Sequence, residues 1–181
     1  WKEAKPVARE SILMSTFGVI ITSGLTGLFC YFVLKTSLLE GLLIGSIVGS
    51  TDAASVFSIL RSQKLNLKGE IASILEVESG SNDPVAYMLT LIVLTLMNNG
   101  GISSIVPIVI GQIIFGILIG VILSKLTVYI MRNANFEVDG FYTIFITAIA
   151  ILSYALSEWV GGNGYLSVYI AGIVIGNSKI P

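Results

Sequence analysis

Long apolar runs broken by short clusters of charge set the pattern of this chain. The runs between clusters are mostly long enough for the roughly 20 helical residues that cross a hydrocarbon core. Six spans are read from them, at residues 11–34, 38–60, 69–97, 102–130, 141–159 and 165–176. The fourth is long enough to tilt, and the sixth is short enough to be partly re-entrant. The predicted fold class is all-α, a polytopic transmembrane helical protein showing about six spans of a larger fold.

Composition supports the membrane as solvent. With 54% hydrophobic and 12% charged residues among 181, and a mean hydropathy of +0.90, the chain has more apolar surface than one water-facing fold can hide. Short loops rich in Lys and Arg stay on the cytoplasmic side. Nine of the ten basic residues fall on alternate flanks: Lys2, Lys5 and Arg9; Arg61, Lys64 and Lys68; Lys125 and Arg132; and Lys179, leaving only Lys35 on the other side. The expected location is the bacterial inner membrane, multi-pass, with the residue 1 end cytoplasmic. The expected partners are the lipid bilayer and small ions, with no nucleic acid. The start at Trp1 in a basic stretch and the stop at Pro181 just past a span suggest an interior fragment of a larger protein.

The single cysteine, Cys30, leaves no intrachain disulfide and reads as a small buried residue. The absence of histidine excludes His-ligated metals and Ser/His catalysis, so any proton chemistry must use carboxylates. Four acidic residues stand out inside spans: Asp52 in the second, and Glu76, Glu78 and Asp83 in the third. A charge there costs on the order of 2.5 to 3.5 kcal/mol and marks a functional candidate. Antiparallel neighbouring spans joined by a short loop bring Asp52 and Asp83 to similar depth, near the midplane where secondary transporters hold their ions.

The second span carries Gly-Ser-Ile-Val-Gly-Ser-Thr-Asp-Ala-Ala over residues 45–54, a run poor in side-chain bulk. It predicts either a helix break near Thr51, with free carbonyls for a cation and Thr51 or Asp52 capping the new start, or a small-residue packing face with Asp52 paired to a neighbour. The third span carries Leu-Glu-Val-Glu-Ser-Gly-Ser-Asn-Asp-Pro over residues 75–84. Ser79 and Asp83 are helical i,i+4 neighbours, as are Glu78 and Asn82, and Pro84 cannot donate to the Gly80 carbonyl. Such oxygens suit sodium, potassium or a proton. A carboxylate desolvated at that depth binds a proton or a cation but not both, which is the minimum an antiporter needs. The competing reading is that these carboxylates hold helices together through buried pairs.

Thr51-Asp52 in a broken-helix context, followed by Glu78 to Pro84, resembles the cation:proton antiporter family that includes sodium/hydrogen exchangers, most closely its bacterial potassium or sodium/proton branch. Residues 164–172 are similar to a later stretch of the same family. The resemblance implies a homodimer in which a core domain rocks against a dimerisation domain, giving alternating access. It assigns 38–97 to the core ion-site helices, 11–34 and 102–130 to dimer-domain helices, and 141–177 to further spans. It implies that Asp83 takes the proton or ion, that Ser79 and Thr51 add oxygens to the sodium or potassium, and that Asn82 braces the site. Asp52 and Glu78 support it, Glu78 by pairing with an arginine that has no counterpart here. It implies no enzyme and no cofactor beyond the transported ions. Asn-Asp, as against Asp-Asp, is associated with electroneutral exchange. A departure is Ala53 where many relatives have proline, which leaves the sharpness of the break open. The rivals are a passive cation channel, a structural membrane subunit, and an intramembrane aspartyl protease, whose usual Gly-x-Gly-Asp differs from the Gly-Ser-Asn that precedes Asp83 here.

Overall fold

The computed structural model describes residues 4–63, 67, 69–133 and 139–178, and every regular element among them is helical. The chain forms two compact units, Trp1–Ile105 and Val106–Pro181.

In the first unit, α1 (Ala4–Leu13), a π-helical turn at Met14–Gly18, α2 (Val19–Phe29) and a second π turn at Cys30–Leu34 run without interruption. Together they give a 30-residue apolar helix, Lys5–Leu34, or about 45 Å at 1.5 Å per residue. It ends at Lys35, whose φ of 60° is left-handed. Ser37 then starts α3 (Leu38–Val48) with a capping box: its hydroxyl accepts the Glu40 N–H while the Glu40 carboxylate accepts the Ser37 N–H at 2.9 Å. The chain is helical again from α4 (Ala54–Ser62), and α5 (Ile71–Met97) follows.

These helices meet through small residues. A Cβ on Gly41 would come within 2.5 Å of the Gly27 carbonyl oxygen, and one on Gly45 would strike the Ser23 carbonyl. The α2 and α3 backbones therefore approach closely, tied by a bond of 3.0 Å from the Ser23 hydroxyl to the Gly45 carbonyl. Ser46 on α3 meets Thr90 on α5 at 3.0 Å, and Ser11 on α1 donates to the Ile74 carbonyl of α5 at 3.2 Å. Residues 11–34, which the resemblance assigns to the dimer domain, thus pack in the same compact unit as residues 38–97.

The second unit holds most of α6 (Ile102–Asn133), with α7 (Asp139–Trp159) and α8 (Gly164–Gly176). A Cβ on Gly120 would lie 2.6 Å from the Ser167 carbonyl oxygen, so α6 and α8 also cross at glycine. Between α7 and α8, Gly161 takes a φ of 81° and the Asn163 side chain accepts the Leu166 N–H at 3.0 Å, capping α8. The Gln112 side chain donates to the Gly162 carbonyl at 3.2 Å, and Ser153 bonds Ser167 at 2.7 Å.

Burial runs opposite to that of a water-soluble fold. Ser11, Ser23, Ser46, Asn82, Thr127 and Ser167 are fully buried, while Leu25, Phe32 and Ile102 are 65%, 63% and 79% exposed. Small polar groups sit between helices and large apolar ones face outward, as lipid requires. Among the described residues, three helices are long and apolar enough to cross a membrane: Lys5–Leu34, Ile102–Asn133 and Gly140–Trp159. The 27 residues of α5 include the acidic cluster, and the second span is two short helices. The 13 residues of α8 reach about 20 Å, short of a full hydrocarbon core.

Candidate ion site at the interruption between α3 and α4

The low-bulk run of the second span both packs and unwinds. Gly41, Gly45 and Ser46 are buried against neighbouring helices, and α3 then stops at Val48 with Gly49 as its cap. Residues 50–53 are not helical, and α4 begins at Ala54, with the Ala53 carbonyl accepting its first helical bond from Phe57 at 2.9 Å. Two donors at the new helix start find side-chain acceptors. The Ala54 N–H donates to Asp52 Oδ1 at 2.9 Å, and the Ala53 N–H donates to Ser79 Oγ of α5 at 3.1 Å. Helix α4 is thus capped partly from within and partly by its neighbour.

The polar half of α5 lies against this interruption. The Ser79 hydroxyl donates to the Thr51 carbonyl at 3.2 Å. The Asn82 amide nitrogen lies 2.9 Å from the Thr51 carbonyl, 2.9 Å from Thr51 Oγ1 and 3.2 Å from Glu78 Oε1. With two N–H groups and three acceptors in reach, Asn82 is a saturated brace, and it is fully buried. The Thr51 carbonyl receives donors from both Ser79 and Asn82, which occupies both its lone pairs. Asp83 and Thr51 are exposed, and Glu78 is partly buried. Pro84 is buried inside α5, which remains helical across it.

Ser79, Asn82, Glu78 and Thr51 are therefore joined directly, and Asp83 joins them through a residue that sequence reasoning passed over. The Ser50 hydroxyl reaches Asn82 Oδ1 at 3.1 Å and also bonds Asp83 Oδ1. Ser50 was readable only as one of several small residues in the run. Its signal was its place immediately before Thr51, and nothing in the spacing set it apart from Ser46. Asp52 caps α4 locally, and Glu76 is exposed. Among the described residues, the partners of Glu78 and Asp83 are an amide and a hydroxyl, with no basic side chain. The cluster offers a carboxylate and hydroxyls, the hard oxygen donors that sodium and potassium take.

Comparison with known proteins agrees in kind. The family described as "Sodium/hydrogen exchanger, transmembrane" matches residues 1–180. The chain is 37% identical over 171 residues to the K(+)/H(+) antiporter NhaP of Alkalimonas amylolytica, covering 93% of this chain and 30% of that protein. It is 38% identical over 175 residues to the K(+)/H(+) antiporter NhaP2 of Shewanella oneidensis, covering 92% of this chain and 29% of that one. A third relative, named "Probable Na(+)/H(+) antiporter 2" in Methanocaldococcus jannaschii, is 28% identical over 186 residues, covering 98% of this chain and 43% of that protein. The chain thus spans about 30% of the length of the first two relatives. With apolar helices facing outward and a match over nearly its whole length, this chain is an integral membrane protein that belongs to the sodium/hydrogen exchanger family.

Proposed function

We propose that the protein exchanges a monovalent cation, potassium or sodium, for a proton across the membrane, with Asp83 taking one or the other in turn. The observation that carries this reading is the interruption at residues 50–53 lying against Ser79, Asn82 and Asp83 of α5. Unwound backbone is tolerated at membrane depth where it is buried in protein or lines a cavity, and transporters use it to hold ions. Asp83 supplies the exchangeable charge, Ser79 and Thr51 hold the unwound segment and add oxygens to the cation, and Asn82 fixes that segment to α5. Asp52 supports the site by starting α4, and Glu78 supports it by accepting from Asn82. Asn82 is neutral, so a single carboxylate at the exchange point fits one-for-one electroneutral exchange. The same reading includes a homodimer and a cytoplasmic residue 1 end. The relatives named as K(+)/H(+) and Na(+)/H(+) antiporters support the reaction class.

The test uses the full-length parent protein in proteoliposomes carrying an internal pH dye. Potassium or sodium is added to the wild type and to Asp83→Asn. Cation-driven proton movement that the substitution abolishes supports the reading, and the ion that responds names the substrate. Cation flux without proton movement, or proton exchange that survives in Asp83→Asn, overturns it.

A further inference from the structure

Building on that ion site, we infer that Ser50 is a ligand of the cation at Asp83 and helps set the preference between potassium and sodium. Its hydroxyl stands between two acceptors, Asn82 Oδ1 at 3.1 Å and Asp83 Oδ1. A serine hydroxyl carries one proton, so it donates to one of them at a time. With the site empty, donation to Asp83 satisfies the carboxylate. When a cation takes the Asp83 oxygen, the proton turns about the Cβ–Oγ bond to Asn82, already within reach, and a lone pair faces the ion.

The other oxygens of the cluster are less free. Ser79 Oγ both accepts the Ala53 N–H and donates to the Thr51 carbonyl, and that carbonyl also accepts from Asn82. Drawing the Thr51 carbonyl onto an ion leaves one of those donors without its partner, and Ser79 Oγ, which already accepts once, has a single lone pair left to offer. Ser50 has an alternative acceptor and leaves nothing orphaned.

Its position is also fixed. On one side, a Cβ at Gly49 would come within 2.7 Å of the Ser23 hydroxyl and 2.8 Å of the Gly45 carbonyl oxygen, so the backbone there is closely packed. On the other side, Thr51 is pinned to α5 by Ser79 and Asn82. The backbone that carries Ser50 Oγ is therefore held on both sides. Cavity size and ligand number at such a site decide between ions of equal charge.

The experiment measures initial rates of potassium- and sodium-driven proton movement by the full-length protein in proteoliposomes, for the wild type, Ser50→Ala, Ser50→Thr, Ser50→Cys and Asp83→Asn. Loss of one ligand in Ser50→Ala should raise the KM for the transported cation about tenfold, with Vmax held within about twofold. The ratio of potassium to sodium KM should change with it. Ser50→Thr should keep both, and Ser50→Cys, which keeps the size but offers a soft sulfur, should resemble Ser50→Ala. A wild-type KM and ion ratio in both Ser50→Ala and Ser50→Cys, beside an inactive Asp83→Asn, overturns the role of Ser50 alone. A lower Vmax at unchanged KM does the same, since it marks a merely structural hydroxyl. Exchange that persists in Asp83→Asn overturns the ion site and the place of Ser50 in it together.

Discussion

At the scale of single residues, Asn82 does more than the spacing suggested. Sequence places Asn82 four residues from Glu78 on one helical face, and that pair is in contact at 3.2 Å. What spacing could not convey is that the same amide holds Thr51 across 31 residues of chain through two acceptors at 2.9 Å. Asn82→Ala should destabilise the full-length protein by about 1–3 kcal/mol, because Thr51 and Glu78 lose a buried donor. A lower melting temperature in detergent checks this. Asn82→Asp should fall at least as far, since it removes the N–H donors and sets a second carboxylate beside Glu78. A variant as stable as the wild type would show that the brace is dispensable. Ser79 illustrates the same limit of spacing. Its i,i+4 relation to Asp83 was legible, whereas its bonds to the Ala53 N–H and the Thr51 carbonyl depend on where α5 meets the interrupted span.

At the scale of elements, the low-bulk run of residues 45–54 left two readings open, a break or a packing face, and the structure uses the run for both. Its first half packs α3 onto α2, and its second half unwinds. Packing and unwinding should separate by mutation. Gly45→Leu drives a side chain into the Ser23 backbone and should cost about 1–3 kcal/mol or more, whereas Gly24→Ala, which meets open space, should be neutral or gain up to about 1 kcal/mol. Thermal melting of the two purified variants tells them apart. At the start of α4, Asp52→Ala removes the acceptor of the Ala54 N–H and should cost about 0.5–2 kcal/mol, and Asp52→Asn should recover most of it. Full loss in Asp52→Asn would show that the charge of Asp52, rather than its cap, is what matters. The ends of two helices lie close to the expected bounds. The third span, expected at 69–97, is helix Ile71–Met97, and the sixth, expected at 165–176, is Gly164–Gly176 capped by Asn163. The two π turns in the long first helix have no local sequence signal that anticipates them.

At the scale of the whole molecule, the alternation of basic flanks predicts which loops share a side of the membrane. In a Cys30→Ala background, Ser103→Cys at the exposed start of α6 should react with a membrane-impermeant thiol reagent added outside intact cells, and Gln63→Cys just past α4 should react only after the membrane is opened. The reverse pattern would invert the orientation. The sequence by itself determined the solvent and the class of fold, because hydropathy and charge spacing act locally and leave few ways to satisfy a backbone in lipid. It also determined the family, through a polar segment too unusual inside an apolar span to be incidental. Only the tertiary structure decided which oxygens bond to which, that Ser50 bridges Asn82 and Asp83, and that the helix Lys5–Leu34 packs with the candidate ion-site helices. The physical reason is the same in each case. Hydrogen bonds between helices and glycine contacts at crossings depend on relative register and depth, which arise when the helices pack and leave no periodicity in the chain.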